Sequence, residues 1–411
     1  METYLAVGSN LGAPEQNIAK ALDLLRTTRG IRVKAVSPVY KTPAALLYAT
    51  ARDDDNRPYL NCSVQTETTL SAPDLLKELK RIEKQMGRDA SRRWTPRPVD
   101  LDIIFYGNEK IQTPELTVPH PRYAERSFVL DPLSWFKTFP ADMIYTQTHQ
   151  PLIAGVLNVT PDSFSDGGKH NTPDSFAKTF SLWEKSGVQI VDIGAQSTRP
   201  NAPDVDVAEE LKRLSFVFDF LKNREKSFLS PKLSLDTKHA ATAQKALEAG
   251  FDVINDVDGL DDPDMAALAR DFNDRRFIVM RHDPLTAPFD KLTAVVREWF
   301  LKKADMLDAA GIDLSHVYFD VGIGFGCTAT QSLYLLQHLS DFHINGVKLA
   351  VGHSRKSFMR VFTAANAPDR NEETLAMSVA MADKVDLLRV HTPVEHLRAI
   401  VAAGHLCNQF F

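Results

Sequence analysis

The stretch LIAGVLN, residues 152–158, is the first of eight short apolar runs that recur through the later part of the chain. Segments of helical length separate successive runs. The other runs are residues 188–194, 232–236, 252–256, 276–281, 316–322, 347–354 and 386–391. Eight strand-then-helix units in about 260 residues have the size of a (β/α)₈ barrel. The sequence therefore predicts an α/β domain, a TIM barrel, over residues 151–411.

Polar side chains stand at or near the end of nearly every run. A single one is explained by solvation of a strand end, but sites in this fold lie at the C-terminal ends of the strands. So many polar ends favour a site at one mouth of the barrel. These residues are Asn158, Asp192, Asp236, Asn255, Arg281, Asp320, Ser354 with Lys356, and Arg389 with His391.

The first part of the chain has a different rhythm. Residues 1–136 alternate strand-like and helical runs with some connections as short as hairpins, which predicts an α+β domain with a mixed or antiparallel sheet. Residues 41–58 form a long polar segment, which predicts a functional or disordered loop. Residues 137–150 break the pattern, and we interpret them as a linker.

Length and composition indicate a globular protein of ordinary type. At 411 residues the chain exceeds what one hydrophobic core usually supports, so two domains are expected. A net charge of -5 gives no indication of nucleic-acid or membrane binding. The three cysteines are too scattered for a disulfide framework, and the N-terminus lacks the pattern of a signal peptide. These features predict a cytoplasmic protein.

The stretch RPVDLDIIFYG, residues 97–107, places two carboxylates on one face of a strand. Asp100 and Asp102 are two residues apart, so both point to the same side. Three interpretations remain open from the residues alone: a glycosidase acid/base pair, a magnesium site, or solvated acids on an edge strand. Nearby arginines favour Mg²⁺ bridging phosphate oxygens, because glycosidase carboxylates usually lie on different elements. These arginines are Arg88, Arg92, Arg93, Arg97 and Arg126.

Three motifs in this segment resemble one family. RRWTPRPVDLDIIF (92–105), LAVGSNLG (5–12) and LTVPH (116–120) are similar to the signature of hydroxymethyl-dihydropterin pyrophosphokinases. The resemblance implies a ferredoxin-like α+β domain over residues 1–136. It also implies transfer of pyrophosphate from ATP to 6-hydroxymethyl-7,8-dihydropterin with two Mg²⁺ ions. Asp100 and Asp102 would then be the metal ligands.

The same resemblance implies further roles. Arg88 and Arg97 would meet the transferring phosphates, and the loop at 41–58 would close over ATP. Arg93, His120 and Arg126 would bind the nucleotide. The pterin side would consist of Thr42, Pro43, Tyr59, Asn61, Trp94 and Phe128. Trp94 and Phe128 could sandwich the flat ring, although ordinary core packing is an open alternative for both.

The barrel segment resembles a second family, the dihydropteroate synthases. GVLNVTPDSFSDGG (155–168) and DIGAQSTRP (192–200) are similar to its two signatures. SLDT, IND, FDVGIGFG, GHSRKS and RVH follow in the family order. The resemblance implies condensation of 4-aminobenzoate with the pterin pyrophosphate made by the first domain. It also implies a (β/α)₈ barrel that can form a homodimer, as barrels of this family often do.

Site residues of the barrel follow from the same resemblance. Asn158 would hold one Mg²⁺, and the pyrophosphate would be bound by Arg199, Arg389 and His391. The pterin ring would contact Asp236, Asn255, Asp320 and Lys356, with Asp236 and Lys356 closest to the chemistry. Aminobenzoate would lie against Thr198, Pro200, Phe325 and Ser354. For Asp236, capping of the helix that begins near KHAATAQ is an open alternative.

Some positions depart from the family pattern. Gln196 and Ala195 replace a glutamate and a glycine, Cys327 stands where lysine is expected, and Arg281 with His282 alters a Met-His pattern. We expect activity to be retained. Two other functions stay open here: a related barrel that transfers methyl groups from methyltetrahydrofolate, and a degenerate barrel that only binds or scaffolds.

Overall fold

A computed structural model describes most of the chain. The described residues are 1–42, 57–88, 97–137, 139, 143, 149–160, 172–196, 205–224, 230–344 and 346–407. Contacts divide the chain into two compact units, Met1–Gln150 with Val401–Phe411, and Pro151–Ile400. Each unit is described by itself below.

The first unit contains an antiparallel sheet with two long helices. Its main strands have the order β2-β4-β1-β5, and β3 also pairs with β4. The chain order of the main strands and helices, β-α-β-β-α-β, confirms the ferredoxin-like arrangement. The elements are β1 (Glu2–Ser9), α1 (Pro14–Thr27), β2 (Ile31–Val36), β3 (Tyr40–Thr42), β4 (Tyr59–Thr68), α2 (Ala72–Gln85), β5 (Asp100–Tyr106), β6 (Ile111–Gln112), β7 (Thr117–Val118) and α3 (Ser127–Leu133).

Alternation along β5 separates the core of this unit from its polar side. Leu101 and Ile103 are buried, whereas Asp100 and Asp102 on the other face remain partly exposed. Helix α2 begins after Ser71, whose Oγ accepts a hydrogen bond from the backbone N–H of Asp74. This N-cap satisfies one of the four N–H groups that have no partner within the first turn of a helix. The Leu101 side of β5 therefore packs in the core, and the side with Asp100 and Asp102 remains accessible to polar groups.

The second unit is a closed barrel of eight parallel strands. Its strands are β8 (Leu152–Asn158), β9 (Ile190–Gly194), β10 (Lys232–Asp236), β11 (Val253–Asp256), β12 (Arg276–Met280), β13 (Val317–Asp320), β14 (Lys348–Val351) and β15 (Leu387–Val390). Its helices are α4 (Pro173–Lys185), α5 (Val207–Asn223), α6 (Ala240–Glu248), α7 (Pro263–Asp271), α8 (Leu292–Ala309), α9 (Ala329–Gln337), α10 (Asn371–Met381) and the part up to Ile400 of α11 (Pro393–Cys407).

Every one of the eight apolar runs contains a strand of this barrel, so the predicted TIM barrel is confirmed. Six of the eight strands are shorter than the runs that predicted them, because residues at one or both ends of those runs lie in the adjoining loops. Within the part of the chain that the structure describes, no helix combines the length and apolar composition needed to cross a membrane.

Candidate active sites

In the first unit, the pairing of strands places a predicted pterin residue and a predicted metal ligand on either side of the same residue of β1. Gly8 on β1 pairs with Asn61 on β4 and with Asp100 on β5. A Cβ at Gly8 would lie 2.8 Å from Asn61 Oδ1, so a larger residue here would displace the asparagine. Gly8, the first glycine of the LAVGSNLG motif, thus leaves space between Asn61 and Asp100.

Asp100 lies between two arginines. Its Oδ1 accepts from Arg88 Nη1 at 2.6 Å, and its Oδ2 accepts from Arg97 Nη1 at 2.9 Å. The backbone of Arg97 is held in turn, because its N–H donates to Asn10 Oδ1 at 3.0 Å. The arrangement concentrates positive charge beside a carboxylate, which suits a site for phosphate groups.

Glu83 on α2 lies behind this cluster and was not predicted. Its Oε1 accepts from Arg88 Nη1, from the backbone N–H of Leu101 at 2.8 Å and from Lys80 Nζ at 3.0 Å. The side chain is almost fully buried, and burial raises its pKa against the effect of Lys80. Glu83 lies four residues after the buried Leu79, which places it on the buried face of α2, and this helical spacing is the signal in the sequence that could have revealed it.

Asp102 is the second carboxylate of β5, with 33% of its side chain exposed. Burial, followed by the negative charge of Asp100, raises its pKa. Burial also lowers the pKa of both His120 and Arg126, which interact electrostatically with Asp102. These four ionisable groups, Asp100, Asp102, His120 and Arg126, therefore lie within electrostatic reach of one another.

The described residues among those predicted to bind the pterin in this unit, Thr42, Tyr59, Asn61 and Phe128, lie along β3, β4 and α3. Thr42 pairs with Tyr59, and Thr42 Oγ1 accepts from Asn61 Nδ2 at 2.7 Å. Burial raises the pKa of the Tyr59 hydroxyl, which Arg97 partly offsets. Phe128 packs against a core cluster that contains Tyr4 and Ile104, so core packing accounts for at least part of its environment.

The acidic pair fits a magnesium ion that also binds phosphates. Mg²⁺ is usually held by one or two carboxylates together with substrate oxygens, and not by an all-protein cage. Among the described residues no group of three or more His, Cys, Asp or Glu side chains could hold a metal. Asp100 and Asp102 are a two-carboxylate set of the expected kind, and burial, followed by the charge of Asp100, raises the pKa of Asp102.

In the barrel, Arg389 at the end of β15 joins two other strands. Its Nε and Nη2 both donate to Asp192 Oδ2 on β9, at 2.9 and 2.6 Å, and Nη2 also donates to Asp236 Oδ2 on β10 at 2.8 Å. Asp192 Oδ1 accepts from Ser234 Oγ at 2.5 Å. Burial opposes the charge of Arg389, but Asp192, Asp236 and Asp320 together raise its pKa. None of the described residues accepts a hydrogen bond from Arg389 Nη1 in this arrangement, which leaves that nitrogen for a ligand.

Asp236 and Asn255 each keep a polar atom for a ligand. Asp236 Oδ1 and Asn255 Nδ2 are buried without a hydrogen-bond partner among the described residues. Buried polar atoms are nearly always paired in native proteins, so two unpaired ones on adjacent strands indicate a binding site. Burial raises the pKa of Asp236 to about 7, with Arg389 opposing the shift and Asp192 adding to it.

The alternative role of Asp236 as a helix cap is wrong. Helix α6 begins at Ala240, its N-cap is His239, and no side chain caps it. The carboxylate of Asp236 points to Arg389 instead.

Lys356 and Asp320 complete the polar mouth of the barrel. Asp320 is buried, and its Oδ1 accepts from the backbone N–H of Gly322 at 2.8 Å. Lys356 Nζ donates to the carbonyl of Ile323 and lies 4.7 Å from the centre of the Phe325 ring. Burial lowers the pKa of Lys356 to about 8, against the raising effect of Asp320.

The other predicted site residues of the barrel that the structure describes lie at the same mouth. His391 donates its backbone N–H to Ser354 Oγ at 3.3 Å, and its Nδ1 is 2.9 Å from the same oxygen. Asn158 ends β8 opposite Gly194 of β9, where an added Cβ would lie 2.8 Å from Asn158 Oδ1. Gly194 therefore leaves room around the amide oxygen that was predicted to hold Mg²⁺.

Some predicted residues lie outside the described part of the chain. These are Pro43, Arg93 and Trp94 in the first unit, and Thr198, Arg199 and Pro200 in the second, with most of the predicted loop at 41–58. Of the departures from the family pattern, Ala195 is buried and its carbonyl accepts from Arg213 Nη1 at 3.0 Å.

Comparisons with known proteins match both units. Residues 4–138 match the family model for 7,8-dihydro-6-hydroxymethylpterin-pyrophosphokinase, and residues 154–391 match the model for pterin binding enzymes. The folate synthesis bifunctional protein of Chlamydia trachomatis serovar D is 33% identical over 441 aligned positions, which cover 97% of each chain.

Solved structures resemble the barrel. A Yersinia pestis dihydropteroate synthase in complex with a sulfonamide drug has a TM-score of 0.58 at 30% identity, over 66% of this chain and 97% of that one. An Anaplasma phagocytophilum dihydropteroate synthase with bound 6-hydroxymethylpterin-monophosphate has a TM-score of 0.56 at 32% identity, over 62% and 99%. The chain therefore belongs to the family of bifunctional folate-synthesis enzymes, transferases in which a hydroxymethyl-dihydropterin pyrophosphokinase is joined to a dihydropteroate synthase.

Proposed function

We propose that Asp100 and Asp102 hold two Mg²⁺ ions on ATP while Arg88 and Arg97 neutralise the transferring pyrophosphoryl group. The bonds from both arginines to Asp100 support this assignment, because ligand phosphates could take over these donors without leaving a charge unpaired. Magnesium would polarise the phosphoryl oxygens. The protein itself needs little covalent chemistry for such a transfer, since alignment and charge neutralisation supply most of the catalysis.

Substrate positions in the first unit follow from the same arrangement. His120, Arg126 and Arg93 bind the nucleotide. The hydroxymethyl-dihydropterin lies on the Asn61 side of Gly8, where its hydroxyl can face the phosphates near Asp100. Thr42, Pro43, Tyr59, Trp94 and Phe128 complete the pterin side. The pairing of Gly8 with both Asn61 and Asp100 supports this division of the site.

In the barrel, the pterin ring is recognised through hydrogen bonds to its polar edge. The observation that carries this proposal is a buried acceptor, Asp236 Oδ1, and a buried donor, Asn255 Nδ2, neither of which has a hydrogen-bond partner among the described residues. Asp320 accepts N–H groups of the ring, and Lys356 donates to a ring acceptor. A heterocycle with donors and acceptors on one edge removes the cost of leaving these groups unpaired.

The leaving pyrophosphate and the aminobenzoate occupy the rest of the mouth. Arg389 Nη1, His391 and Arg199 stabilise the departing charge, and Asn158 holds one Mg²⁺ on the pyrophosphate. Aminobenzoate lies against Phe325, Ser354, Thr198 and Pro200. Its amine is already nucleophilic, so the site needs no strong base. The same pocket makes the protein a target for sulfonamides.

The finer organisation of the protein is also a proposal. Residues 1–136 form the kinase domain, 137–150 the linker and 151–411 the synthase domain. The partners are the small-molecule substrates, the barrel forms a homodimer, and the enzyme acts in the cytoplasm. The scattered cysteines, two of which are free in the structure, support a reducing compartment.

One reaction tests the assignment. The full-length protein is incubated with Mg²⁺, ATP, hydroxymethyl-dihydropterin and labelled 4-aminobenzoate, and AMP and labelled dihydropteroate are measured separately. We expect both products from the wild type, loss of AMP in Asp102→Asn, and loss of dihydropteroate alone in Lys356→Ala. AMP without dihydropteroate, even when pterin pyrophosphate is supplied, would mean that the barrel is a binding or scaffold module.

The pH profile of the synthase reaction should be bell-shaped. Asp236 must be ionised to accept an N–H group, and its pKa is raised to about 7, so kcat/KM falls as the pH drops below this value. Lys356 must be charged, and its pKa is lowered to about 8, so activity falls again above that value. We expect a maximum between these two values in kcat/KM measured with pterin pyrophosphate from pH 5.5 to 10.

Lys356→Arg provides the control, because an arginine keeps its charge over this range. Whatever activity this variant retains should lack the alkaline decline while keeping the acid one. A wild-type profile that is flat between pH 5.5 and 7 would contradict the role of Asp236.

A further inference from the structure

Arg281 is a fully buried arginine that no step proposed above uses. It follows the last residue of β12, and only 1% of it is exposed. Its guanidinium makes four hydrogen bonds: Nε to the carbonyl of Val321 at 3.2 Å, Nη1 to the carbonyl of Asp283, and Nη2 to the carbonyl of Phe325 at 3.3 Å and to Cys327 Sγ at 3.0 Å. None of these partners is a carboxylate.

The bonding of Arg281 leaves little of it for a substrate. Four of its five N–H groups are engaged, and three of those bonds end on the segment 321–327 that follows β13. Burying a cation is costly unless it is hydrogen-bonded. The acceptors on segment 321–327 therefore stabilise the charge of Arg281, and the same hydrogen bonds hold the segment in place. Its place in the fold is therefore that of a clamp between the loops after β12 and β13.

Glycines allow these two loops to approach closely. Any Cβ on Gly322 would overlap with the carbonyl of Arg281, and any Cβ on Gly326 would overlap with that of Asp283. Both glycines have positive φ, 75° and 57°. The backbone N–H of Leu285 donates to the carbonyl of Gly326 at 2.7 Å, which adds a main-chain tie.

The clamped segment forms the cradle of Lys356. Ile323 supplies the carbonyl that accepts from Lys356 Nζ, and the Phe325 ring lies 4.7 Å from that nitrogen. Gly324 has a φ of 82°, and a Cβ added to it would lie 3.3 Å from Lys356 Cδ. The glycine therefore leaves space for the lysine side chain. The other groups whose charge acts on Lys356 are Asp320, Arg389, Cys327 and Asp236, in decreasing order of effect.

We propose that Arg281 is a positioning residue of the synthase site, which fixes segment 321–327 so that Ile323 and Phe325 hold Lys356 and the aminobenzoate pocket in place. The inference rests on the proposed function of Lys356 and Phe325. It also gives two departures from the family pattern, Arg281 and Cys327, a common structural role, because the two side chains are in contact.

Arg276 is the matched control for this inference. It is also a buried arginine of β12, with 4% of it exposed, but it begins the strand and so lies at the opposite end of the barrel from the site. The full-length variants Arg281→Lys, Arg281→Met, Arg276→Lys and Arg276→Met are compared in the synthase reaction with pterin pyrophosphate. AMP formation by the first domain and the melting temperature are measured on the same samples.

We expect both Arg281 variants to raise the KM for 4-aminobenzoate by about 10- to 100-fold, the range seen when groups that orient a site are lost. Lys356 becomes less buried when the cradle loosens, so the alkaline limb of the pH profile should move up by about one pH unit or more. Both Arg276 variants should lower stability and leave KM and the alkaline limb unchanged. AMP formation should match the wild type throughout.

The possible outcomes separate the inference from the function on which it rests. A wild type that makes no dihydropteroate would overturn the proposed function. If the wild type is active and the Arg281 variants lose stability and kcat in proportion while KM and the alkaline limb stay in place, Arg281 is only structural and the inference fails. Should Arg281→Met not fold, Arg281→Lys decides, because lysine keeps the charge but cannot reach several carbonyls at once.

Discussion

Replacing Asp100 by asparagine should nearly abolish AMP formation. The change removes one of two carboxylates that we assign to magnesium, and it leaves Arg88 and Arg97 facing each other without the charge that both now contact. Loss of about 4 kcal/mol of transition-state stabilisation corresponds to a decrease of about 10³-fold in rate. The measurement is AMP release from ATP and hydroxymethyl-dihydropterin at saturating Mg²⁺.

Asp74→Asn is the matched control for Asp100→Asn. Asp74 belongs to the same unit and also contacts a cation, Lys77 at 3.2 Å, but its side chain is 55% exposed. Exposed ion pairs contribute little, so AMP formation should stay within about twofold of the wild type. Asp100→Asn should leave dihydropteroate formation from supplied pterin pyrophosphate intact. Retention of more than roughly a tenth of AMP formation, a loss below about 1.4 kcal/mol, would contradict a metal-binding role for Asp100.

Replacing Arg389 by methionine should abolish dihydropteroate formation and destabilise the barrel. Its guanidinium is the partner of Asp192 and Asp236, and Asp192 is 1% exposed. Removing one partner of a buried ion pair typically costs about 3–5 kcal/mol, because the remaining charge stays buried. Pyrophosphate would also lose the Nη1 donor. Thermal unfolding followed by circular dichroism and the synthase assay measure the two effects.

Two further variants distinguish the effects of Arg389→Met. The double variant Asp192→Asn, Arg389→Met removes one of the stranded charges, so it should recover part of the lost stability without recovering activity. Arg398→Met, an exposed arginine on α11, should behave as the wild type. Synthase activity in the double variant close to that of the wild type would show that Arg389 serves only to neutralise buried carboxylates.

Local patterns in the sequence were sufficient for the strands of the barrel and for the grouping of the polar strand ends. The eight apolar runs predicted the eight barrel strands, and alternation along β5 predicted that Asp100 and Asp102 share a face while Leu101 is buried. These predictions succeed because strand periodicity and the order of strands and helices are properties of neighbouring residues. The polar run ends reach one mouth of the barrel because parallel strands all end on the same side.

Partnerships between distant residues were decided only by the tertiary structure. Arg389 contacts Asp192 across 197 positions of sequence, and Glu83 on α2 accepts a hydrogen bond from the backbone N–H of Leu101 on β5 across 18 positions. In the sequence Arg281 is a polar residue at the end of an apolar run and a departure from a family pattern, whereas in the structure its side chain connects two loops of the synthase site. A residue's own neighbours specify its helix or strand, whereas the groups that solvate a buried charge are supplied by packing, which no short stretch of sequence contains.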